Sequence, residues 1–87
     1  MVFEYDPGKS KANMAKHGID FEQAQALWMD ENRLVIPARS ETEPRWAIIA
    51  QYDEKVWVAF YAVRGVRVRL ISVRRARPKE KEVYEGG

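Results

Sequence analysis

The chain has 87 residues and 10.2 kDa, with 46% hydrophobic and 32% charged residues, a globular composition with room for one domain and one modest core. It holds no cysteine and one histidine, which excludes a disulfide scaffold, an iron–sulfur cluster, thiolate zinc and a cysteine nucleophile, and argues against a histidine-built metal centre. The net charge of +2 hides an asymmetry: residues 1–54 hold six basic and ten acidic side chains, residues 55–87 nine and three. The longest apolar run, Val56 to Val63, has eight residues, far short of the roughly 20 that span a bilayer. No basic region leads into an apolar stretch at the start, so the expectation is a small cytoplasmic protein with no membrane contact.

Taken in chain order, Met1 to Tyr5 reads as a short strand or an extended lead-in. Asp6-Pro7 starts a helix, since Asp6 can accept orphan amides and Pro7 has the φ of a first helical position. That helix is expected to end near Lys16 or His17, with Gly18 as left-handed cap. Asp20 and Gln23 form a capping box, and Phe21, Ala24, Leu27 and Trp28 fall on one face, predicting a second helix over 21–29. Leu34, Ile36 and Ala38 alternate with polar and other residues, and Pro37 places that strand at an edge. Arg45 to Tyr52 is a second strand. Asp53-Glu54-Lys55 turns into Val56 to Val63, apolar on both faces and therefore central. Arg64-Gly65 turns into Val66 to Val73, and Pro78 opens a last helix to about Glu85. The expectation is one α+β domain over 1–85: two N-terminal helices on a four-stranded antiparallel meander, then a short C-terminal helix, with Gly86 and Gly87 as a frayed tail.

Between residues 64 and 81 stand Arg64, Arg67, Arg69, Arg74, Arg75, Arg77, Lys79 and Lys81 against Glu80 alone. Guanidinium forks match phosphate oxygens, so this density points to a polyanion or an acidic partner. By simple alternation Val66, Val68, Leu70 and Ser72 share one face of the last strand, and Arg67, Arg69, Ile71 and Val73 the other. Arg67 and Arg69 read either as phosphate contacts or as the solvent face of a half-covered sheet. His17, the one side chain whose ordinary pKa lies near neutrality, reads either as a helix cap bonded to the last carbonyls or as an acid–base group for RNA cleavage through 2′-hydroxyl attack. Asp53-Glu54 is a turn rather than a carboxylate dyad. No phosphate-cradling glycine loop or metal-ligand spacing is present, so no cofactor and no metal is expected.

The residues Tyr5-Asp6, Asn13, Lys16-His17-Gly18-Ile19, Phe21, Ala24 and Asp30, followed by Arg45, Arg64, Arg69-Leu70-Ile71-Ser72-Val73-Arg74-Arg75-Ala76, Glu82 and Tyr84, resemble the BrnT-type toxins of type II toxin–antitoxin systems in order over almost the whole chain. The resemblance departs at Ala50, where glycine is frequent, and at Val73, where alanine is. It implies a RelE-like ribonuclease fold, metal-independent endoribonuclease activity that arrests translation, and neutralisation by a BrnA-type antitoxin. The expected partners are then that antitoxin in a hetero-oligomer, RNA as substrate, and DNA only indirectly through the antitoxin. Site residues follow as expectations: Lys16, His17, Arg64 and Arg74 catalytic, with Arg64 and Arg74 together on the scissile phosphate, and Arg67, Arg69, Arg75 and Arg77 for RNA or antitoxin. An acidic or amphipathic antitoxin segment is expected over the basic face. A non-catalytic nucleic-acid-binding module or a protein-interaction domain using the same arginines is the alternative.

Overall fold

A computed structural model describes residues 1–86 of the chain. The capping signals act where expected. Asp6 accepts from the Gly8 amide at 2.7 Å and opens α1 (Pro7–His17), which ends on Gly18 at φ 78°. Asp20 and Gln23 bond each other's amides at 2.7 and 3.0 Å and open α2 (Phe21–Ala24). The helix expected over 21–29 is α-helical for that one turn only. Residues Gln25–Met29 tighten into a 3₁₀ helix that ends at Asp30.

The sheet has five strands rather than four, and it is mixed. β1 (Val2–Glu4), β2 (Leu34–Ala38), β3 (Arg45–Tyr52), β4 (Lys55–Arg64) and β5 (Arg67–Arg75) lie in the order β1-β5-β4-β3-β2, followed by α3 (Pro78–Tyr84). The correction lies in β1, which pairs in parallel with the start of β5, Glu4 beside Arg69. A strand is one of the two readings of Met1 to Tyr5, but pairing with residues more than 60 positions away leaves no local turn signal for its place in the sheet. The meander holds. Pro37 sits on the outer strand β2, where a missing amide costs no central ladder bond. Asp53 and Glu54 form the two-residue β3–β4 loop, both at positive φ, and Gly65 takes the positive φ of the β4–β5 loop.

Two apolar layers flank the sheet. On one side Ile19, Phe21, Ala24 and Leu27 pack on Ile48, Ala50, Trp57, Ala59, Tyr61, Val68, Leu70 and Val73. On the other, Ala47, Ile49, Val56 and Val58 are covered by Leu34, Ala38, Phe60, Ala76 and Tyr84 of α3. This second cover is partial because α3 is only seven residues long. Helix α1 contributes no apolar side chain to the first layer; its two buried residues are Ser10 and Asn13. The Gly86 amide donates to the Val83 carbonyl at 3.2 Å, and Gly87 of the expected tail lies outside the described residues. Among the described residues, no helix is long and apolar enough to cross a membrane.

Candidate functional site

The β4–β5 register contains an irregularity that decides the site. Phe60 pairs with Ser72 and Tyr61 with Leu70, so Ile71 is an extra residue on β5. A bulge of this kind exchanges the faces of everything beyond it. The simple alternation expected for β5 is therefore corrected: Val68, Leu70 and Val73 share the helix-covered face, while Arg67, Arg69, Ser72 and Arg74 share the other. Without the bulge Arg74 would point away from Arg67 and Arg69. Arg75 does point away, with its guanidinium carbon 5.5 Å from the Trp57 ring centre on the helix-covered side.

Neighbouring strands complete this open face. Arg69 lies opposite Ala62 of β4, and Arg64 opposite Arg67. Arg45, one residue before Trp46, continues the β3–β4 register to the level of Ala62. Arg45 and Arg69 thus flank an alanine, whose short side chain leaves a shallow floor between two guanidinium stems. Phe60 and Ser72 lie one step along, then Arg74. Five arginines (45, 64, 67, 69 and 74) occupy one sheet face, the last of them in contact with α3.

Their partners differ. Arg74 is committed: its Nη1 and Nη2 donate to the Glu80 carboxylate at 2.7 and 2.9 Å, Nη1 also to the Arg75 carbonyl at 3.2 Å, and its guanidinium lies 5.4 Å from the Phe60 ring centre. The hydrogen bonds from Arg74 hold the Glu80 carboxyl below its ordinary value, against the opposing effect of its burial. Arg77 contributes its amide to the same carboxylate at 2.8 Å. Arg69 is lightly held, by one 3.4 Å contact from Nη1 to Glu4. Arg64 makes one 3.2 Å contact to Glu43 and is half exposed. Arg45 has its Nε buried without an acceptor among the described residues. Arg67 makes no ion pair among them.

The expected catalytic set does not come together. Arg64 and Arg74 stand at opposite ends of the face, since Val58, the partner of Arg74, lies six residues from Arg64 along β4, or about 20 Å at the rise of a strand. Lys16 and His17 end α1, which lies along β5 with the layer of Ile19 and Phe21 rather than on the arginine face. Its anchor is Asn13, whose Oδ1 accepts from the Val73 amide at 3.1 Å and whose Nδ2 donates to the Ile19 carbonyl at 2.8 Å. His17 is half-buried one turn beyond Asn13, and Lys16 is exposed. Sequence reasoning missed Arg45, Phe60 and Ser72 as members of this face. Arg45 carried a usable signal, its period-two spacing with Ala47 and Ile49.

A clasp at the other end holds α3. Asp30 accepts from the amides of Asn32 at 2.9 Å and Gln51 at 2.8 Å and from the Tyr84 hydroxyl. Burial pushes the Asp30 carboxyl up, but these hydrogen bonds and nearby Arg33 outweigh it and hold the group below its ordinary value. Burial and the bond to Asp30 push Tyr84 up to about 12. A raised tyrosine pKa contributes stability that is complete below the ordinary tyrosine value and is lost as pH rises through the folded one; the lowered Asp30 contributes above its ordinary value and is lost in acid. The difference in urea midpoint between wild type and Tyr84→Phe should therefore stay constant around neutral pH and close as pH approaches about 12. A gap unchanged over that range would remove the clasp as a source of stability.

A short α+β protein with a helix-backed sheet and an arginine-lined open face is built to hold a polyanion. Comparison with protein families agrees: residues 5–80 match the family of BrnT ribonuclease toxins of type II toxin–antitoxin systems. The chain belongs to that family, and is thus a ribonuclease toxin with an antitoxin protein as partner. A comparison with curated protein sequences finds no match.

Proposed function

We propose that the open arginine face cleaves RNA without a metal cofactor, through attack of a 2′-hydroxyl on the adjacent phosphorus, and that this arrests translation in the cytoplasm until a BrnA-type antitoxin covers the face. In that reaction the O2′–P bond forms and the P–O5′ bond breaks; the 2′-hydroxyl loses its proton and the leaving 5′-oxygen gains one. What the protein must supply is fixed positive charge where the phosphorane gathers an extra negative charge, and arginine remains charged at every working pH.

The observation that carries the reading is the gathering of five arginines on one face by strand register and the bulge at Ile71. Arg69 is central, between Arg67 and Ser72 along its strand and across Ala62 from Arg45, with most of its donors unused. We assign it and Arg45 to the scissile phosphate, where a phosphate oxygen would also satisfy the orphaned Arg45 Nε. Arg64 and Arg67 track the strand leading to that phosphate. Arg74 holds α3 through Glu80 and shapes the end of the path. Arg75, Arg77, Lys16 and His17 lie off the face and take no part in phosphorane stabilisation.

The test is incubation of the purified toxin with single-stranded RNA in chelator, followed by end-group analysis. Fragments ending in 2′,3′-cyclic phosphate are expected, with a 2′-deoxy strand left intact. RNA that is bound yet uncut, both free and on translating ribosomes, would favour the binding-module reading instead.

A further inference from the structure

The free end of the β4–β5 hairpin exposes three valines: Val66 is 82% exposed, Val63 54% and Val2 53%. They surround one tip. Val66 lies in the Gly65-Val66 turn, Val63 near the end of β4 on the face of its partner Val68, and Val2 of β1 beside Arg67 on the arginine face. The tip also sets Arg64 directly across from Arg67, a like-charge cross-strand pair that costs stability in the free protein. Neither feature serves the core, which ends at Val68 and Ala62. β1 is the outermost strand on this side, so its outward backbone donors and acceptors are open to a further extended chain.

We infer that this tip is where the antitoxin takes hold, by an extended segment carrying apolar side chains for Val2, Val63 and Val66 and carboxylates for Arg64 and Arg67. The inference rests on the toxin reading and adds the place and chemistry of its partner. The mixture of groups selects protein over RNA: aliphatic surface gains by burial against other aliphatic groups, whereas a nucleic-acid strand would want free aromatic faces to stack on, and Phe3 beside the tip is taken up in packing on Trp28. Carboxylates of the chain itself already sit on two arginines of this face, Arg64 at the tip and Arg69 beside it. Glu43 meets Arg64 at 3.2 Å and Glu4 meets Arg69 at 3.4 Å, both single contacts at partly exposed groups that a partner's carboxylates can replace. A segment seated on the tip would continue over Arg64 and Arg67 onto the arginine face, so that grip and neutralisation follow from one contact.

The cognate antitoxin is the probe, and binding to full-length toxin is the measurement. Val66→Ser and Val63→Ser, which remove apolar surface without adding charge, should each weaken the complex about 10- to 100-fold, with RNA cleavage by the free variants equal to wild type. Val66→Thr should fall between. In parallel, amide hydrogen exchange on wild-type toxin with and without antitoxin should show protection across residues 62–68 and 2–4. This second measurement requires no variant to fold. Unchanged affinity in the folded variants, or protection confined to other segments, overturns the inference while leaving the ribonuclease reading standing. Loss of RNA cleavage in wild type would strike that reading and not the grip.

Discussion

Replacing Arg69 by alanine should lower RNA cleavage about 10²–10³-fold, the range for loss of one preorganised donor to a developing anion. The expectation follows from the state of the guanidinium. It spends one long contact on Glu4 and keeps its other donors, while Arg67, Arg45 and Arg74 share its face. The positive field that they create strengthens an anion's hold at the centre of the row. The same substitution should leave melting almost unchanged, since the Arg69–Glu4 pair is about one-third exposed on the arginine side and such pairs contribute at most about 1 kcal/mol. Arg74→Ala is the instructive contrast. It removes the bidentate bond to Glu80 and the cation–π contact with Phe60, so the expected loss is in the hold on α3, with activity following stability. Growth assays with melting curves separate the two. Full cleavage by folded Arg69→Ala toxin would move the phosphate to another part of the face.

Much of the fold was legible because its signals are local. Asp6-Pro7, Gly18, the Asp20–Gln23 box, Pro37 and the Asp53-Glu54 turn each act within a few residues and stand where the pattern put them, and the second hairpin turn lies one residue on, at Gly65-Val66. Three features escaped for one physical reason: their cause lies far away in sequence. β1 is defined by β5, more than 60 residues on. The bulge at Ile71 is a property of the β4–β5 pair and not of β5 alone; one extra residue sufficed to reverse the facing of Ser72, Val73, Arg74 and Arg75. The polar anchors Asn13 and Asp30 look like surface residues until their partners Val73, Ile19, Gln51 and Tyr84 are placed. The candidate site divides in the same way. Composition revealed that arginines cluster, but which of them share a face depends on register. Lys16 and His17 end α1, which lies along the outer edge of β5, whereas Arg74 turns to α3 and Arg64 stands at the opposite end of the arginine row.

Asn13→Ala should be among the most damaging polar substitutions to stability. The side chain is buried and both ends of its amide are used: Oδ1 takes the Val73 amide at 3.1 Å and Nδ2 reaches the Ile19 carbonyl at 2.8 Å. Truncation leaves a donor and an acceptor unpaired, at about 1–3 kcal/mol for each buried group, so a loss of roughly 2–6 kcal/mol is expected against a total of about 5–15 kcal/mol for an ordinary domain. A chain of this length should then melt at least about 8 °C lower. The consequence reaches the site through β5. β1 pairs with β5 only at Arg67, Val68 and Arg69; beyond Arg69 α1 lies along the outer edge of β5, and Asn13 bonds it there. Freed of that bond, the segment carrying Ser72 and Arg74 becomes an open strand edge, prone to pair with other chains. The variant should therefore show increased association near its melting temperature as well as reduced toxicity. Asn13→Asp tests the division of labour: it retains an acceptor for Val73 but sets a carboxylate oxygen against the Ile19 carbonyl, and should recover only part of the loss. If Asn13→Ala melts within a degree or two of wild type, water has replaced both bonds, and α1 is held to β5 by the Ser10–Phe21 contact at 2.9 Å and the capped loop that follows.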